Sequence, residues 1–282
     1  IQLQSALDYL KTDLKKSAEQ NKLAVKVSGE IYADDPPPPP PPAPKPLPKV
    51  LASVDIQTHT KQPPVQDAKA LKIFDDFIAT IGGEKALRNI TSYTAKGKAQ
   101  IKRTGATVDG EVEIYREAPD KMAEIFRFDL LGEIREFFDG SRYFMQSKIL
   151  GTEEYKQPIV VDEKRLFADF YEILKVKEFY PSISYLGAFD REGKKVQLVQ
   201  AETKEENKIV YVFDAATKLL IHRTDYQSDI SFGDYRKVGD IFFPFKQTRS
   251  DAIVFQLTEF KPNGQIDENL FKLQESCFDK ID

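Results

Sequence analysis

The chain has no tryptophan, one cysteine, two histidines and two methionines in 282 residues. The lone thiol, Cys277, excludes an intramolecular disulfide and a multi-cysteine metal site. It reads either as a small buried hydrophobe beside Phe271 and Phe278 or as a reactive thiol. His59 falls in a proline-rich stretch and His222 in a predicted strand, so the two histidines lack the spacing of a zinc set and no metal is expected. His222 reads as a surface or rim residue. No serine-nucleophile turn or glycine-rich phosphate loop occurs, because Gly82-Gly83 ends a helix instead of joining a strand to one. The pairs Glu153-Glu154 and Glu205-Glu206 read as solvated turn residues, not as a glycosidase dyad. These absences predict no enzyme, no catalytic residue and no cofactor.

Long apolar runs are missing as well. No window approaches the ~20 apolar residues of a membrane-spanning helix. The net charge is −4 and both signs are interleaved, so no basic footprint for nucleic acid appears. The chain starts at Ile1 and reads as a trimmed chain or fragment, which leaves the question of a signal peptide open.

What the chain does have is an uneven distribution of proline. The stretch 35–66, with an unbroken run from Pro36 to Pro42, cannot bury a core and sets an extended spacer of about 3.1 Å per residue. It is either a passive linker or a ligand for another protein's proline-binding groove. Before it, residues 1–34 read as a short helix carrying Leu3, Ala6, Leu7, Leu10 and Leu14, then a strand with Leu23, Val25 and Val27. That segment is too small for a stable core of its own. Residues 67–282 form the main domain.

The domain opens with Asp67 as N-cap and a helix whose stripe holds Leu71, Phe74, Phe77, Ile78 and Ile81, stopped at Gly82. From Ser92 the period changes to two, with turn residues about every dozen positions. A second helix is predicted over Asp162 to Leu174, with Leu166, Phe167, Phe170, Ile173 and Leu174 on its apolar face. Strands then resume to Lys261. Roughly a dozen strands without intervening long helices predict a mainly β domain with few helices: one strongly curved antiparallel sheet, an unclosed barrel with a helical lid. Read by alternation, Phe126, Phe128, Phe137, Tyr143, Tyr211, Phe213 and Phe255 face the concave side and are the candidate ligand-binding residues.

Several segments carry a resemblance. The helix ending in Ile81-Gly82-Gly83 is followed by EKALRNITSYTAKGKAQI; FFDGSRYF spans Phe137 to Phe144; YVFDAATKLLIHRTDY starts at Tyr211; and GDYRKVGDIFFPFKQT, Gly233 to Thr248, precedes the closing DENLFKL. In this order they resemble the LolA/LolB-like superfamily, although the tryptophan common at the end of the Asp-Gly motif is replaced here. The resemblance implies an unclosed β-barrel under helices that carries lipid or lipoprotein acyl chains, without catalysis, in the periplasm or at the outer membrane. Envelope-protein partners follow from the same resemblance. Residues 1–34 also resemble the tail of a peptidase-related envelope protein, whose zinc motif this chain lacks. From the residues alone, inward aromatics either line a cavity or fill it, so a structural or interaction module displayed on the proline spacer stands as the alternative. An open carrier requires an apolar cavity of about 300 Å³ or more.

Overall fold

In a computed structural model the structure describes residues 65–103, 106–129, 131–149, 151–224, 229–250 and 252–274. The expected N-terminal helix and strand, the proline-rich linker, His59 and Cys277 lie outside the described residues.

The first helix, α1 (Ala68–Thr80), begins where Asp67 accepts hydrogen bonds from the Lys69 and Ala70 amides at 2.7 and 3.3 Å. It buries Ala70, Ile73, Phe74 and Phe77, so the buried stripe is turned from the predicted one and leaves Leu71 and Ile78 only half-buried. Gly82, at φ +127°, carries the chain into the short α2 (Gly83–Arg88). A Cβ there would stand 2.4 Å from the Asp240 carbonyl oxygen, so close backbone approach as well as the dihedral requires glycine.

Among the described residues thirteen strands follow: β1 (Ser92–Arg103), β2 (Ala106–Glu117), β3 (Lys121–Phe128), β4 (Gly132–Phe138), β5 (Tyr143–Ser147) and β6 (Gly151–Tyr155) precede the second helical segment. After it come β7 (Ser182–Arg191), β8 (Lys194–Glu202), β9 (Lys208–Asp214), β10 (Leu220–Thr224), β11 (Asp229–Val238), β12 (Ile241–Arg249) and β13 (Ile253–Pro262). All pair antiparallel in one open sheet of order β6-β5-β4-β3-β2-β1-β13-β12-β11-β10-β9-β8-β7. The meander closes on itself only once, where β13 returns to pair with β1. The edges β6 and β7 stay unjoined, which makes the sheet an unclosed barrel.

Curvature is visible in contacts that a flat sheet forbids. β3 and β12 are four strand spacings apart, about 19 Å at ~4.8 Å each. Yet Glu124 of β3 and Arg249 of β12 meet through two hydrogen bonds of 2.7 and 2.8 Å. The face that carries them is therefore concave. Small residues permit the bend: Phe255, Ala99, Gly110 and Phe128 pair across β13, β1, β2 and β3, and a Cβ on Gly110 would lie 2.4 Å from the Phe128 ring.

The second helical segment is broken where a single helix was predicted. Helix α3 (Pro158–Ala168) starts a turn early because Pro158 suits the first helical position. It stops at Asp169, whose carboxylate takes the Tyr171 amide and the Lys175 ammonium instead of continuing the turn. A 3-10 turn (Glu172–Leu174) and α4 (Val176–Phe179) lead into β7. On the convex face, Ile266 and Phe271, from the closing 3-10 turn (Glu268–Phe271) and its approach, pack on Ala123, Phe137 and Phe144. Arg135, 1% exposed, holds that segment by donating to the Asn269, Leu270 and Lys272 carbonyls.

Candidate functional site

The concave face divides into two halves. Over β7–β10, α1 lays Phe74 against Tyr211 and Phe213, ring centroids 5.1 and 5.4 Å away, and Phe77 against Phe213 at 5.6 Å. Beside them the hydroxyls of Tyr180 and Tyr211 meet at 2.9 Å, and both donate to Glu172, with Arg223 at 3.5 Å from its second oxygen. Burial pushes both phenols well above their ordinary range, with the Glu172 carboxylate adding to the rise. This half is a finished core.

The other half, over β1–β5 and β12–β13, is covered by α3, whose packing is thinner. Of its described side chains only Ala168 is buried; Val160, Val161, Leu166 and Phe167 stay half-buried. Arg116 and Lys164 link it to the sheet through polar contacts. Arg116 donates to the Phe167 carbonyl at 2.8 Å, and Lys164 lies 3.6 Å from Glu136 and 4.3 Å from the Tyr143 ring. The Phe167 ring sits between two guanidinium groups, 4.5 Å from Arg116 and 5.6 Å from Arg249. Immediately after α3 the chain is pinned: the Phe170 amide donates to the Pro119 carbonyl at 2.8 Å, and the Tyr171 hydroxyl donates to the Ile90 carbonyl at 3.1 Å.

Next to α3, reached from Phe167 through the Arg249 guanidinium, the concave floor is aromatic with a charged centre. Phe126 stacks on Phe128 and on Phe255, with centroids at 6.4 and 5.6 Å, and Arg249 lies 4.7 Å from the Phe255 ring. Glu124 is 1% exposed. Burial alone raises its pKa, but the Arg249 charge and hydrogen bonds, then Arg116 and Lys164, outweigh this and hold it at about 2. The cleft between α3 and the β8–β9 hairpin, lined by Asp162, Leu166, Thr203 and Arg223 among others, encloses about 10 Å³, the space of one water.

The seven residues selected from the sequence are thus spread over three places. Phe126, Phe128 and Phe255 form the floor beside α3, and Tyr143 lies at its margin with its hydroxyl donating to Glu136 at 2.7 Å. Tyr211 and Phe213 share the concave face but are sealed by α1. Phe137 is on the wrong side: it pairs with Ala123 and Phe144 and stacks on Phe144 at 5.0 Å on the convex face, one residue out of phase with Ile134, Glu136 and Phe138. The FF pair at 137–138 offers an aromatic at either parity, and the convex-side cover by Phe271 decided which one faces outward. His222 is also corrected, being buried on the convex face between the Ser231 and Thr224 hydroxyls at 2.9 and 2.8 Å.

Sequence reasoning missed Glu124, Arg249 and Arg116, and read Phe167 only as part of a helix's apolar face. A signal existed, since Glu124 shares its parity with Met122, Phe126 and Phe128, and Arg116 with Val112 and Ile114. A charge at an inward position of an apolar strand marks a buried polar site.

With this geometry in view, the fold can be compared with solved structures. A DUF1329 family protein from Desulfovibrio piger superposes with a TM-score of 0.50 at 10% identity, over 74% of this chain and 99% of that one. A LolA superfamily protein from Nitrosomonas europaea gives 0.49 at 7% identity, over 72% and 97%. A putative outer membrane lipoprotein-sorting protein domain from Vibrio parahaemolyticus gives 0.48 at 14%, over 72% and 96%. The fold is shared with the DUF1329 family protein. No family model and no curated protein matches the sequence. At such identities the likeness fixes architecture and leaves ligand and activity to be argued from the site.

Proposed function

We propose that the domain is a non-enzymatic carrier that takes an apolar chain, such as a lipid or lipoprotein acyl chain, onto the floor of Phe126, Phe128, Tyr143 and Phe255 after α3 lifts. The observation that carries this reading is the contrast in cover: the aromatic floor adjoins a helix whose apolar side chains Val160, Val161, Leu166 and Phe167 are only half-buried and whose contacts through Arg116 and Lys164 are polar. A helix held this way opens at a modest free-energy cost. Each methylene transferred from water to the floor then contributes about 0.8 kcal/mol, enough for a chain of a dozen carbons to offset the opening. Binding of this kind measures length and girth and discriminates one methylene by only ~1–3 kcal/mol. The resemblance carried by the sequence motifs supports a compartment in the bacterial periplasm or at the outer membrane, and that compartment is part of the proposal.

A specific observation favours the second reading, a filled interaction module. In the closed arrangement Phe126 and Phe255 already stack on each other, and both are almost fully buried. The two readings separate on one experiment. Mass spectrometry of gently purified protein should release co-purified lipid, and a fluorescent fatty acid should bind with displacement by long-chain competitors. Lipid-free protein that ignores the probe at every concentration would establish the module instead.

A further inference from the structure

Buried cations are expensive unless an anion or several acceptors meet them. Among the described residues most comply. Arg249 has Glu124, Arg223 has Glu172, Lys164 has Glu136, and Arg135 has three carbonyls and the Gln146 side-chain oxygen. Arg116 does not. It is 8% exposed, no carboxylate lies within ion-pair distance of it among the described residues, and its Nε has no acceptor. The Tyr93 hydroxyl beside it supplies no charge. Its remaining partners, the Phe167 carbonyl and ring, both belong to the last turn of α3. Any movement that lifts α3 removes both.

Arg249 stands across the same ring, and its Nε is likewise buried without an acceptor. The cluster of Arg116, Lys164, Arg249, Glu124 and Glu136 holds three cations and two carboxylates, a net charge of +1 that one anion at Arg116 would balance. From that place the floor runs on through Phe255, 4.7 Å from the Arg249 guanidinium, to Phe126 and Phe128. An acidic end and an apolar tail fit this order in one direction only.

We infer that Arg116, exposed as Phe167 withdraws, is the seat of an acidic group, so that the ligand is an amphiphile with one carboxylate or phosphate at the end of an apolar chain. This rests on the carrier reading above and adds the polarity of the ligand's head to it. A guanidinium meets either oxyanion with two parallel hydrogen bonds.

The test uses the whole chain, cis-parinaric acid and its methyl ester, which share a fluorescent tail and differ in charge at pH 8. The acid is expected to bind at least about tenfold more tightly than the ester, the worth of a charge-assisted hydrogen bond. Arg116→Gln should bring the two within about twofold of each other, whatever easier opening of α3 does to the ester's own affinity, and Arg116→Lys should restore part of the preference. Displacement by hexadecyl phosphate, palmitate and hexadecanol then ranks the head groups, the first two competing well and the alcohol poorly. Equal binding of acid and ester to the native protein would overturn the seat and leave the carrier reading standing. Failure of both to bind would overturn the two together. The acid-against-ester comparison on native protein needs no variant and decides the matter even if a substitution at Arg116 unfolds the domain.

Discussion

Helix α1 buries Ile73, Phe74 and Phe77 on Tyr211 and Phe213, while α3 rests on the neighbouring half of the same concave face through a carbonyl, an ammonium and one ring held between two guanidinium groups. The two helices meet the same sheet with opposite chemistry. Apolar contact is non-directional and grows with area, so α1 is held wherever it touches. Polar contact is directional and is exchanged readily for water, so α3 gains little from being closed. A domain built only for rigidity would use the first solution twice.

The largest effect should come from the α1 half. Phe74→Ala removes a fully buried ring and is expected to cost about 3–5 kcal/mol in urea denaturation, with loss of β7–β10 protection. A cost below about 1 kcal/mol would show that α1, too, is a loose cover and would erase the contrast.

In the α3 half the comparable effect is electrostatic. Arg249→Met leaves Glu124 buried and unpaired and should cost about 3 kcal/mol or more, whereas the double change with Glu124→Leu should recover most of that loss. If the single and double variants were equally unstable, the pair would matter for shape and not for charge.

Acid should separate the halves without mutation. Glu124 holds its proton less tightly in the folded state than at its ordinary value of 4.5, so its contribution is complete above that pH and is lost as pH falls toward about 2. The amount is roughly 3 kcal/mol at most, from ~1.4 kcal/mol per unit. Hydrogen exchange between pH 5 and 2.5, corrected for intrinsic rates, should show β3 and β12 loosening before β8 and β9. The reverse order would contradict the assignment of Glu124 as the strut.

The smallest effect on stability is expected for Phe167→Ala, about 1 kcal/mol, because that ring is half-buried and its two guanidinium contacts are each worth ~0.5–2 kcal/mol less the solvation regained. Its kinetic effect should be larger, with a several-fold faster association of a fluorescent fatty acid in stopped flow.

How much of this was legible in the sequence follows from which interactions are local. Asp67 as a cap, Gly82 as a stop and the strand alternation depend on neighbours within a few residues, and the structure places them as read. The resemblance motifs at Gly233 to Thr248 also fall on one hairpin, β11–β12, where Pro244 is tolerated because β13 pairs with β12 only from Lys246 onward. Phe137 was misplaced because alternation gives the parity of a strand but not which parity a distant segment will cover. The Glu124–Arg249 contact joins residues 125 apart in sequence and exists only because the sheet curls. The break of α3 at Asp169 is fixed likewise by a distant contact, the Phe170 amide donating to the Pro119 carbonyl, that periodicity does not show.

The most direct measurement is amide hydrogen exchange of α3 and α1 in one sample, with and without a long-chain fatty acid. Opening of α3 predicts that 158–168 exchanges at least about tenfold faster than 68–80 and slows when the acid is added. Equal protection of the two helices, unchanged by the acid, would mean that α3 is a fixed part of the core and that the floor beside it never receives a ligand.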